Sequence, residues 1–304
     1  MPRPEPIPAP RDLRLLARTA VEGVVSGIHA SPHKGGGADF RQHRPYVPGD
    51  DLRALDWKVY GKSDRFYVRE FDADTNLRAT LLVDASASMN YDGGGEANRF
   101  DYACALAASL AYLLLRQGDA VALATFDKGL RDYAPPASTP GHLTRLLDLL
   151  AAARPAPGPE RATDFAAVFR DVAPKLDRHA RRGMTLLVSD CFGNANALAN
   201  GLLQARRSRQ DVIVFEVLHP DESDFDFRGN VQFDGLEGDG RRSLDARLLR
   251  GRYLEKLAAH RASVALGCAR AKAQLVRVRS DEPLADVLLR FLALRARRAT
   301  AGVA

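Results

Sequence analysis

The sequence predicts a doubly wound α/β fold with a mostly parallel sheet, and three observations carry that expectation. From Leu77 onward, short apolar runs alternate with stretches of helical periodicity; the runs are Thr80–Val83, Val121–Phe126, Met184–Ser189, Val212–Val217 and Gln274–Val278. Most of the runs are largely apolar rather than alternating, as expected of strands covered by helices on both faces. Two of them, Leu-Leu-Val-Asp84 and Leu-Val-Ser-Asp190, finish on an aspartate. In open α/β sheets ligands gather outside the carboxyl ends of the strands, so these two carboxylates should face one crevice.

Element by element, residues 1–10 alternate proline with other residues and read as a solvated, disordered tail. Residues 11–26 have helical spacing, with Leu13, Leu16, Ala20 and Val24 on one face. A loop rich in Gly, His and Pro follows, punctuated by Pro48-Gly49-Asp50, and residues 65–72 alternate like a half-exposed strand. Residues 11–76 are therefore expected to form an N-terminal segment docked on a main domain over 77–304. In that domain the helices are expected at about 99–117 (closed by Gly118), 139–152, 163–176, 195–208, 246–271 and 283–298. Residues 219–243 read as a polar, Gly/Asp-rich excursion.

Composition narrows the class of protein. The 304 residues carry 44 Lys+Arg against 38 Asp+Glu, a net charge of +6. The basic clusters Arg178/Arg181/Arg182, Arg206/Arg207/Arg209 and Arg295/Arg297/Arg298 fall near expected helix C-termini, where cations offset the negative end of the macrodipole. No aromatic residues interleave with them, so a nucleic-acid-binding protein stands only as a second alternative. The cysteines, Cys104, Cys191 and Cys268, are widely separated and include no CxxC pair, which fits a reducing cytoplasm. The longest apolar stretch, Ala103 to Leu115, is too short for a membrane span, so a cytoplasmic protein is expected.

The strand-end aspartates sit in a wider pattern. After Asp84 come Ser86 and Ser88, so three oxygens at alternate positions of a tight loop can turn toward one point. Thr163, opening a helix, could supply a fourth and Asp190 a fifth. Hard oxygen donors with few carboxylates suit Mg²⁺, or Mn²⁺, and leave room for a carboxylate from outside. Each residue also has a plain structural use: Asp84 and Ser88 in turn amides, Thr163 and Asp190 as helix caps. Their joint order favours a metal site.

Asp-x-Ser-x-Ser, a later Thr and a later strand-end Asp resemble the metal-ion-dependent adhesion site of von Willebrand factor A-type domains. The resemblance implies that Ser86 and Ser88 bind the metal directly, that Asp84, Thr163 and Asp190 bind directly or through water, and that a partner's acidic residue completes the sphere. Upstream, Gly37-Ala-Asp39-Phe40-Arg41, Arg44-Pro-Tyr46-Val-Pro48-Gly49-Asp50-Asp51-Leu-Arg53-Ala-Leu-Asp56-Trp57-Lys58 and Val68-Arg69-Glu70-Phe71 resemble the signature of domain-of-unknown-function family 58. The likeness runs from about residue 35 to 295, departing at Gly61-Lys62. It implies a von Willebrand A-like domain and a role beside a MoxR-type AAA+ ATPase, as an adaptor or substrate-recruiting partner in protein maturation or remodelling.

Other readings are weaker. The Arg/Asp signature and Trp57 read as a structural network before a second interaction surface. Gly61-Lys62-Ser63 lacks the first glycine of a phosphate-binding loop. Cys191 has no local histidine base and reads as a small buried thiol. The functional alternative is a Mg²⁺-dependent, phosphatase-like hydrolase with Asp84 as nucleophile. Against it, Ser86 stands where a haloacid-dehalogenase-type enzyme would need an acid. The expectation is therefore a protein without catalytic residues.

Overall fold

A computed structural model describes residues 13–29, 42–45, 67–70, 77–93, 98–155, 163–176, 183–234 and 240–301. The Pro-rich start, Trp57, Gly61-Lys62-Ser63, Arg178/Arg181/Arg182 and most of the Arg/Asp signature lie outside the described residues. The chain divides into two units, Met1–Val24 together with Leu77–Ala304, and Val25–Asn76. Within the smaller unit, β1 (Gln42–Pro45) pairs antiparallel with β2 (Tyr67–Glu70), the second lying inside the stretch expected as a strand.

The first helix, α1 (Leu13–His29), buries Leu13, Ala17, Val21 and Val24, an i, i+4, i+8, i+11 stripe. The expected face was turned slightly: Leu16 and Ala20 are only half-buried.

The larger unit is built on β3 (Arg78–Asp84), β4 (Ala120–Phe126), β5 (Leu130–Ala137), β6 (Gly183–Ser189) and β7 (Gln210–Leu218). After a separate antiparallel hairpin of β8 (Asn230–Asp234) and β9 (Arg241–Asp245), the sheet is completed by β10 (Gln274–Arg279). Its order is β10-β7-β6-β3-β4-β5. All neighbours run parallel except β4 and β5. The doubly wound, mostly parallel α/β architecture is thus as expected, with one antiparallel edge.

The helices are α2 (Arg99–Arg116), α3 (His142–Ala152), α4 (Phe165–Val172), α5 (Ala195–Arg207), α6 (Pro220–Asp224), α7 (Ala246–Arg270) and α8 (Leu284–Ala301). Leu82, Ala124, Leu187, Val212 and Val214 of the sheet share one core with Phe165, Val168 and Phe169 of α4, Leu198 and Leu202 of α5, and Val264 and Cys268 of α7. On the sheet, Phe215 meets Phe291 of α8 at 6.3 Å between ring centroids. Strand β6 is buried along its whole length, which explains its largely apolar run.

Capping fixes where the helices begin. Asp164 is the N-cap of α4, its carboxylate accepting from the amides of Ala166 (3.0 Å) and Ala167 (3.1 Å). Asp164→Ala should cost about 1 kcal/mol of stability, read as a lower urea midpoint at unchanged slope. Gly118, at φ +83°, supplies the left-handed residue that ends the turn after α2.

This topology positions the site. From β3 the chain moves to β4 on one side, whereas β6 lies on the other, so the winding direction reverses between β3 and β6. The crevice at such a switch point is where open sheets hold ligands.

Candidate functional site

The parallel register sets Val83 beside Val188, and the next residues of the two strands carry the chemistry. Asp84 ends β3, and the chain then tightens into a 3₁₀ turn over Ala87–Met89. The Ser86 amide donates to Asp84 Oδ1 at 2.9 Å, folding the loop back on the carboxylate. Ser86 is N-cap of the 3₁₀ turn without a side-chain capping bond, so its hydroxyl stays available to the site. It lies 3.1 Å from the hydroxyl of Ser88. Adjacent oxygens around an octahedral Mg²⁺ lie about 3 Å apart, so this pair has the spacing of neighbouring ligands.

Thr163 comes in from a third segment. Because Asp164 takes the cap of α4, the Thr163 hydroxyl is not used as a cap, and it donates to Asp84 Oδ2 at 3.5 Å. The ring of Phe165 lies under the Gly193 backbone, where a Cβ would meet it at 3.5 Å. The Thr163 segment is thereby held against the loop after β6.

Asp190 follows β6. Its Oδ1 accepts from the Phe192 amide at 2.9 Å, and the cap of α5 is Asn194, so Asp190 caps no helix. Its Oδ2 lies 2.9 Å from Arg99 Nη2 as an ion pair but outside hydrogen-bond geometry, a buried oxygen without a hydrogen-bond partner. Asp84, Ser86, Ser88 and Asp190 are buried and Thr163 is half-buried. The five residues singled out in the sequence thus lie together at one sheet edge. Their arrangement fits a hard divalent cation: two carboxylates, three hydroxyls and one buried oxygen left unsatisfied. Among the described residues there is no cluster of three His, Cys, Asp or Glu side chains, the donors a zinc site would use.

Electrostatics agree with a place for positive charge. Burial, then the neighbouring Asp190, pushes the Asp84 carboxyl up to about 7, against the opposing hydrogen bonds from Ser189 and Ser86. Arg99 is pulled down by burial but raised more by Asp190 and Glu222, so it stays charged.

Three further residues belong to this site and were not read from the sequence. The Ser189 hydroxyl donates to Asp84 Oδ2 at 2.5 Å and accepts from the Cys191 amide at 2.9 Å, joining the two strand ends. Arg99 opens α2 with a side chain only 1% exposed, and it bonds the Ser88 carbonyl and the Glu222 carboxylate. A cation in the first turn of a helix opposes the macrodipole, and that was the available signal. Glu222 lies in the stretch dismissed as a polar excursion. Cys191 is buried with its thiol pushed well above the usual range by burial, in keeping with an inert thiol.

Residues 42–263 match the family model described as "Protein of unknown function DUF58". The chain is 31% identical over 294 residues to the uncharacterized protein Rv1480 of Mycobacterium tuberculosis, covering 96% of this chain and 90% of that protein. Among solved structures, it is similar to the conserved hypothetical protein BatB from Bacteroides thetaiotaomicron, with 15% identity, a TM-score of 0.47, and coverage of 73% of this chain and 99% of that one. A von Willebrand factor type A protein from Catenulispora acidiphila aligns at 12% identity and a TM-score of 0.37, covering 49% of this chain and 34% of that one.

Proposed function

Because the chain belongs to the DUF58 family of proteins of unknown function, we propose that it is a non-enzymatic protein-interaction module gated by a divalent cation. The observation that carries this reading is the meeting of Asp84, Ser86, Ser88, Thr163 and Asp190 at the switch point of the sheet. Ser86 and Ser88 would hold Mg²⁺ or Mn²⁺, with Asp84, Thr163 and Asp190 direct or through water. The cation supplies an open Lewis-acid position suited to an acidic side chain of a client. The protein's own residues order the loop, bury the two carboxylates and tie the two strand ends together.

A binding role is favoured over hydrolysis by the state of Asp84. It is fully buried, and the Ser86 amide and Ser189 hydroxyl fix its two oxygens, which supports a positioned, cation-facing role over nucleophilic attack. The three cysteines are buried and unpaired, which supports a reducing compartment such as the cytoplasm. No helix among the described residues is long and apolar enough to cross a membrane. For the setting we propose partnership with a MoxR-type AAA+ ATPase in maturation or remodelling of client proteins. The resemblance of the Asp39–Phe71 signature supports that setting, not any residue of the site.

Calorimetric titration with Mn²⁺ or Mg²⁺ should show one ion per chain and a raised thermal midpoint, both lost in Asp84→Ala and in Ser86→Ala/Ser88→Ala. Recovery of the AAA+ partner and clients from co-expressing cells should fall on chelation and in Asp84→Ala. A wild-type chain that binds no divalent ion at millimolar concentration sinks this reading.

A further inference from the structure

The guanidinium of Arg99 has no use in α2 itself. It opens an 18-residue helix, where its charge opposes the macrodipole, and it is withdrawn almost entirely from solvent. Its surroundings account for it. Nη2 contacts the carbonyl of Ser88 and lies 2.9 Å from Asp190 Oδ2. Nη1 bonds the carboxylate of Glu222, and the ring of Phe192 lies 5.6 Å from the guanidinium carbon. Nε has no hydrogen-bond partner.

One cation is therefore shared by two carboxylates, and the second of them is prepared to take it alone. Glu222 is fixed by the capping box of α6, where it accepts from the His219 amide at 2.9 Å. Asp190, by contrast, gives Arg99 only a poorly directed contact. Asp190 and Glu222 pair with this one guanidinium, and Asp84 ends the strand next to that of Asp190. The carboxylates here outnumber the one cation that balances them, which leaves a place for a further positive charge.

We propose that Arg99 is the resident counter-cation of the site. It holds Asp190 when no metal is bound, competes with the divalent ion for that carboxylate, and passes to Glu222 when the ion enters. This rests on the divalent-cation reading above and adds to it a residue that sets the affinity. It also links occupancy to the segment at 219–224, because the Arg99–Glu222 bond strengthens as Asp190 turns to the metal. The link reaches past Glu222: Tyr91 donates to Asp221 at 3.5 Å and packs edge-on against His219.

The test is Mn²⁺ titration of the full chain, with thermal unfolding in parallel with and without chelator. Arg99→Gln should bind Mn²⁺ at least tenfold more tightly than wild type, lose midpoint in chelator and regain it with Mn²⁺. Arg99→Lys, which keeps the charge, should stay near wild type. Glu222→Gln leaves the guanidinium to Asp190 alone and should bind at least tenfold more weakly. Wild-type binding with Arg99→Gln unchanged or weaker overturns the counter-cation role and leaves the metal reading intact. No binding by wild type at millimolar ion overturns the metal reading itself, and the inference with it. If Arg99→Gln does not fold under either condition, Glu222→Gln decides: weaker binding supports the role, and unchanged or tighter binding overturns it.

Discussion

Phe165→Ala should lower the free energy of unfolding by about 3–5 kcal/mol and weaken Mn²⁺ binding in the protein that remains folded. Phe165 is the first residue of α4 and is 1% exposed. Its ring lies 6.3 Å from that of Phe126 at the end of β4, and it supports the loop backbone at Gly193. Truncation removes that buried ring and leaves a cavity between a strand end and a helix start, where the backbone is held by register and cap and cannot close in. Thr163 stands two residues before it, so the same cavity loosens one hydroxyl of the site. Urea denaturation and Mn²⁺ calorimetry on one preparation read both effects. A stability loss under about 1 kcal/mol would show that the loop at Gly193 does not rest on this ring.

Gly201→Ala should destabilise the protein by about 1–3 kcal/mol, and Gly201→Leu should leave little folded protein. Helix propensity alone argues the reverse, since alanine is favoured over glycine inside a helix by about 1 kcal/mol. The difference is contact. A Cβ on Gly201 of α5 would fall 2.0 Å from Phe169 Cδ2 and 2.4 Å from its Cγ, on α4. Cγ is the root of the ring, so turning the ring about the Cβ–Cγ bond does not clear it, and either Phe169 must leave its packed rotamer or the two helices must separate. Gly251 of α7 is the control, because a Cβ there meets nothing within 4 Å. Gly251→Ala should therefore be neutral or raise the midpoint. Opposite signs at the two glycines are the diagnostic; stabilisation at both would mean that the α4–α5 contact yields.

The sequence made the central strands legible because they are buried on both faces, as β6 and the run Ala79–Asp84 show. Edge strand β5 was not legible: Pro135 and Pro136 break its pattern, and proline is tolerated there because an edge has no second neighbour to bond. The hairpin β8–β9 and the short α6 were hidden in a stretch whose polar composition reads as loop. The five candidate ligands were legible because they follow apolar runs at strand ends or open a helix. Ser189 was not, since a serine inside such a run carries no sign that register will set it against Asp84. Arg99 and Glu222 lie 123 residues apart, and only the folded sheet edge brings them together.

That separation has a bearing on synthesis. Asp84 and Ser189 are 105 residues apart, and their strands pair directly. While β6 is still inside the ribosome, β3 can pair only with β4, so the nascent chain exposes a buried-type strand edge for the whole of that interval. A fragment ending before β6 already carries Asp84, Ser86, Ser88 and Thr163 but lacks Ser189 and Asp190. The cleft gains its second wall only when β6 pairs with β3, so a truncated product offers a sticky sheet edge beside an incomplete site.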